Sequence, residues 1–174
     1  MKHKILEKLR DNSINVPYFI VLKNEKDYTP TTAFILPDDK TYAVRSSFAS
    51  EDGDKHSFAG QFETKLNVNK KDIAKTVQSV FQSMQNENVK EYNKVNNVSS
   101  SNDGCVIIQE MIDADYSGVV FTANPLGILN EMVVNVGEGL GNNVVEDKLN
   151  TTSYFYNQDD GIFYFEQNGN TPIL

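Results

Sequence analysis

An arginine followed by two hydroxyls and then a glycine-closed loop is a combination that can grip and cover an anion. Arg45, Ser46 and Ser47 form such a run, and the acidic loop Ser50 to Gly60 follows them. Arginine offers a rigid fork of donors that matches phosphate oxygens. Glycine lets backbone N–H groups come close to an anion with no side chain in the way. Arg10 and Arg45 are the two arginines in a chain that otherwise carries its positive charge on lysine. Two readings of Arg45 stand side by side: a phosphate ligand, or a surface arginine at a strand end.

The flanking residues say how this group is held. Tyr42, Ala43 and Val44 are an apolar run fit for a buried strand, expected to end where Arg45 begins. Beyond the loop, Phe62, Thr64 and Leu66 alternate with Glu63 and Lys65, the period of a half-buried strand. Upstream, Lys4 to Asp11 reads as a short helix with Ile5, Leu6 and Leu9 on one side. Asn15-Val16-Pro17 breaks it, and Tyr18 to Leu22 is expected as a strand. Lys23 to Asp39 reads as a connector around Thr32–Leu36. Lys70 to about Glu87 is the clearest helix, with Ile73, Val77, Val80, Phe81 and Met84 on one face. The polar stretch Asn86 to Asp103 ends in a loop.

Cys105 to Met111 suits a central strand. Gly118 to Thr122 is a second strand, expected to run antiparallel to it, and Glu131 to Val136 is a third. Gly137 to Gly141 is rich in glycine but does not fit a dinucleotide fingerprint. Ser153–Tyr156 and Ile162–Phe165, joined by a polar turn, read as a hairpin.

Three blocks in this order resemble the ATP-binding domain of the phosphoenolpyruvate synthase and pyruvate phosphate dikinase family. They are VRSSFASEDGDKHSFAGQFETKLNV, VIIQEMIDADYSGVVFTANPLG from Val106 to Gly127, and, more loosely, GEGLGNNVVEDKLNTTSYFY from Gly137 to Tyr156. The resemblance implies an α+β fold of ATP-grasp type, with mixed or antiparallel sheets and a few helices. Residues 1–174 would form one partial domain. Within it, 1–68 would be the phosphate-binding part with a lid loop at 50–60, and 105–166 an adenine-side sheet. Carried over residue by residue, Arg45 would bind ATP phosphates, and Gly60 and Thr64 would touch them from the base of the lid. Gln109 would contact the nucleotide, and the backbone around Met111 would meet the adenine edge. Lys2 matches a phosphate-contacting lysine by its spacing ahead of Val16-Pro17 alone, without the two glycines that precede that lysine in the family.

The family's acidic metal ligands and its closing glutamine–x–arginine–proline motif have no counterpart in this sequence. Mg²⁺ ligands are therefore expected from a further segment or a second polypeptide completing the fold, and the chain alone is expected to be catalytically incomplete. The alternative is a non-catalytic module for nucleotide sensing or protein interaction. His56 reads as an exposed loop histidine, and Glu51, Asp52 and Asp54 as solvated lid charges. Cys105 reads as a buried small hydrophobe and has no second cysteine to pair with. A net charge of −8 argues against a generally basic nucleic-acid surface. The N-terminal segment lacks a signal-peptide core and no apolar run is long enough to span a bilayer. A cytoplasmic protein without nucleic-acid or membrane partners is the expectation.

Overall fold

A computed structural model of the protein describes residues 2–47, 64–84, 104–141 and 151–167. The lid loop at 50–60, with Gly60 and His56, lies outside the described residues. The fold is α+β, with two antiparallel sheets and a few short helices. The chain divides into two compact units, Met1–Met111 and Ile112–Leu174.

In the first unit the helix α1 (Lys2–Asp11) ends in a paired-bond stop. Ser13 takes a left-handed φ of 60°. Its N–H reaches Arg10 O at 2.9 Å, and Ile14 N–H reaches Leu9 O at 3.0 Å. These two bonds satisfy carbonyls that the last turn leaves without helical partners, ahead of Pro17. Ile5 faces solvent, so the inward stripe of α1 runs through Lys2, His3, Leu6 and Leu9 instead.

β1 (Phe19–Leu22) follows. The connector after it holds a short helix that hydropathy did not reveal, α2 (Pro30–Phe34). Thr29 caps it, exchanging bonds with Thr32, and Pro30 occupies its first turn, where no N–H is needed. β2 (Thr41–Ser47) runs through Ser47 rather than stopping at Val44. β3 (Thr64–Asn69), α3 (Ile73–Ser83) and β4 (Cys105–Glu110) complete the unit.

The sheet order is β1-β4-β2-β3. β4 sits inside, bonded to β1 on one edge and β2 on the other. Its run Val106, Ile107, Ile108 is wholly buried. One sheet face carries Leu22, Tyr42, Val44, Val106 and Ile108 onto α3, which supplies Ile73, Val77, Val80 and Phe81. Tyr42 is the largest side chain fully enclosed there. Its hydroxyl donates to Pro37 O at 2.8 Å, and burial, reinforced by Glu110, pushes its phenol up to about 12.

β3 departs from the alternation its sequence suggests. Tyr42 pairs with Val68, but Val44 pairs with Lys65, so β3 holds one extra residue. Asn67 takes it up with a φ of 56°. This bulge turns Thr64 and Leu66 away from the core face that holds Val68. Leu66 is consequently 41% exposed.

The second unit is an antiparallel meander, β5 (Tyr116–Phe121), β6 (Glu131–Glu138), β7 (Thr151–Asn157) and β8 (Phe163–Gln167). The expected pairing of the strand after Met111 with Cys105–Met111 does not form. β4 has both edges occupied, and β5 pairs with β6 instead. The range 105–166 is accordingly shared between two sheets. Gly118 allows the close approach of β5 to β6, since a Cβ there would meet Asn135 O at 2.5 Å. At one end of β6, the buried Glu131 accepts bonds from the Asn124 side-chain amide and the Tyr164 hydroxyl. This fastens the turn that follows β5 to the sheet.

Truncating Ile73 to alanine removes a wholly buried side chain from between α3 and the sheet and should cost about 2–5 kcal/mol. Leu66→Ala should stay within about 0.5 kcal/mol, because the bulge already exposes it. Urea unfolding of the two variants checks the contrast.

Candidate functional site

The face of the first sheet opposite α3 gathers most of the residues singled out in the sequence. Alternation along β2 places Ala43, Arg45 and Ser47 there, and alternation along β4 places Cys105, Ile107 and Gln109 beside them. The bulge adds Thr64, directly across from Arg45. Arg45 Nη2 donates to Gln109 Oε1 at 2.8 Å. Arg45, Thr64 and Gln109 thus share one face of adjacent strands, though 64 positions separate Arg45 from Gln109.

Met111 lies just beyond β4. Its N–H donates to Thr41 O at 2.9 Å, so pairing with the start of β2 extends past the last strand residue. Glu110 points to the other face, where Lys40 Nζ lies 3.0 Å from its carboxylate. That ion pair holds the Lys40 ammonium above its ordinary range.

The two serines after Arg45 do not form an open strand end. Ser46 and Ser47 are buried within β2, paired with Val106 and Cys105. The Ser47 hydroxyl is engaged by α1: His3 N–H reaches its Oγ at 3.3 Å, and His3 Nδ1 lies 3.1 Å from it. The same ring nitrogen lies 3.1 Å from Cys105 Sγ. Cys105 is buried, as its sequence context suggests, but it is also part of this polar cluster. No local pattern pointed to His3, because its partners lie 44 and 102 positions away. At the far end of α1 the Arg10 guanidinium lies over the Phe19 ring, 5.4 Å from its centroid. Lys2 opens α1 next to His3, so the helix brings its first turn to the part of β2 that follows Arg45.

Among the described residues, no group of three or more His, Cys, Asp or Glu side chains could hold a metal ion. No described helix is long and apolar enough to cross a membrane.

Residues 25–169 match the pyruvate phosphate dikinase, AMP/ATP-binding domain family. The chain belongs to this family. It is an AMP/ATP-binding domain of the kind found in phosphoenolpyruvate synthases and related phosphotransferases. The match takes in Arg45, Gly60, Thr64, Gln109 and Met111 and leaves out Lys2. The prodigiosin synthesizing transferase PigC of Serratia marcescens is 39% identical over 128 residues, which cover 72% of this chain and 14% of PigC. A probable phosphoenolpyruvate synthase of Methanothermobacter thermautotrophicus is 31% identical over 86% of this chain and 22% of its own length. The rifampicin phosphotransferase of Bacillus cereus is 32% identical over 71% of this chain and 14% of its own. The chain therefore spans only a small part of the length of these curated relatives.

Burial sets the His3 imidazole below its ordinary value of 6.5; Glu7 pulls it up, while Lys4 and the N-terminus push it further down. The neutral ring is thus favoured by folding. The stability it contributes is present above the ordinary histidine value and is lost as pH falls through the lower folded value. Unfolding midpoints at about pH 7.5 and about pH 5 should therefore differ more in the unsubstituted protein than in His3→Asn. Equal pH dependence in both would remove the role given to His3.

Proposed function

We propose that this chain binds ATP on the Arg45 face of its first sheet, as the nucleotide-binding portion of a phosphotransferase. The observation that carries this reading is the convergence of Arg45, Thr64 and Gln109 on one surface within a family of AMP/ATP-binding domains. Arg45 holds phosphate oxygens through its planar donors, which suit a polyphosphate better than a lysine point charge would. Thr64 adds a hydroxyl beside it. By the family pattern Gly60 would touch the phosphates, and Lys2 would reach them from the first turn of α1. Gln109 contacts the nucleotide beside Arg45, and the main chain at Met111 lies toward the base.

The engaged N–H of Met111 shapes the adenine end. With that N–H engaged by Thr41 O, a main-chain contact from Met111 to the base would have to come from its carbonyl. An acceptor there suits the exocyclic amine of adenine.

Mg²⁺ would screen the phosphates during transfer. As the family resemblance implies, its ligands would come from a further segment or a second polypeptide. The second unit supports such a partner. One face of its meander carries Val120, Tyr156, Phe163 and Phe165, all exposed, with Phe163 at 60%. Apolar surface of this kind is commonly covered by other protein. On this reading the chain alone would act as a binding portion rather than as a complete catalyst.

Calorimetric titration tests this. ATP should bind the chain, and Arg45→Ala should weaken binding at least about tenfold, the scale of a hydrogen bond to a charged group. Removing Mg²⁺ with EDTA should change the chain's affinity by less than about threefold, because the metal would be held mainly by the nucleotide's own phosphates. Unchanged affinity in Arg45→Ala would overturn the assignment.

A further inference from the structure

We propose that Gln109 is a positioning residue that aims the Arg45 guanidinium. The inference rests on the reading of Arg45 as a phosphate ligand. In the β2–β4 register Arg45 lies across from Ile107 and Ala43 across from Gln109. Arg45 and Gln109 are therefore diagonal neighbours on one face, within reach of long side chains. The bond from Arg45 Nη2 to Gln109 Oε1, at 2.8 Å, uses that reach. Pinning one nitrogen of a planar guanidinium constrains the plane of the whole fork.

The anchor itself is well held. Gln109 lies on the inner strand, with Ala43 across one edge and Phe19 across the other. Its backbone cannot shift without breaking pairing on both sides. Its charge type is equally apt. Glutamine orients the arginine through a neutral acceptor and adds no countercharge of its own. The neighbouring acid, Glu110, is turned by strand alternation to the opposite face, where it pairs with Lys40. A glutamate at position 109 would keep the acceptor and the reach, but it would compete with phosphate for the guanidinium.

Two arginines in the chain make the test direct. Arginine-selective ¹⁵N NMR, with signals assigned by Arg10→Lys, should show resolved, slowly exchanging Nη resonances for Arg45. Gln109→Met should average them and leave Arg10 unchanged. In the same proteins, inorganic tripolyphosphate affinity should fall about tenfold in Gln109→Met, while adenosine affinity stays within about twofold. Gln109→Glu should keep the Arg45 resonances resolved yet weaken tripolyphosphate at least as much. If Gln109→Met leaves the Arg45 resonances unaltered, or weakens adenosine and not tripolyphosphate, the positioning role is overturned. Averaged resonances in Gln109→Met, with no tripolyphosphate binding even by the unsubstituted protein, would instead defeat the phosphate assignment and leave the pinning intact.

Discussion

Hydrogen bonding along both edges of β4 is the constraint on which the first unit depends. A strand flanked by β1 and β2 has no free edge, so its residues can act only through its two faces. Alternation then divides the work. Val106 and Ile108 enter the core against α3, while Cys105, Ile107 and Gln109 face the other way. β2 obeys the same division, with Tyr42 and Val44 inward and Arg45 and Ser47 outward. Burial on the α3 side thus fixes the register, and the register fixes which polar residues meet on the far side. A slip of one residue would exchange the two sets and place Arg45 in the core.

That far face is held at both ends of α1. The helix has no fully buried residue, so its docking relies on particular contacts rather than on a broad apolar stripe. His3 reaches Ser47 and Cys105 at one end, and Arg10 covers Phe19 at the other. Ser47 therefore belongs to the scaffold behind the arginine, with its hydroxyl engaged by the helix.

Much of this was legible in the sequence because the strong signals are periodic. The apolar stripe of α3 and the continuous run of β4 reflect burial, which leaves a regular mark. The grouping of Arg45, Thr64 and Gln109 followed from the family resemblance, and the sheet register brings the three onto one face. Other features left no such mark. The Thr29-Pro30 cap of α2 is a local signal that hydropathy ignores. The His3–Cys105 contact joins residues far apart in sequence. The pairing of β5 with β6 depends on the fact that β4 has no edge left to offer, which is a property of the assembled sheet. The exposure of Leu66 depends on one backbone angle at Asn67.

That angle has a wider effect than one leucine's exposure. Were Asn67 drawn into ordinary extended geometry, the ladder from Tyr42–Val68 would continue without a break. Lys65 would then stand opposite Arg45, and Thr64 opposite Ser46. Two cations would be neighbours, and the threonine would join the hydrophobic side. Omitting Asn67 altogether would leave both present cross-strand pairings as they are. What keeps the like charges apart is therefore the left-handed backbone at Asn67, which absorbs the additional residue, more than the amide it carries.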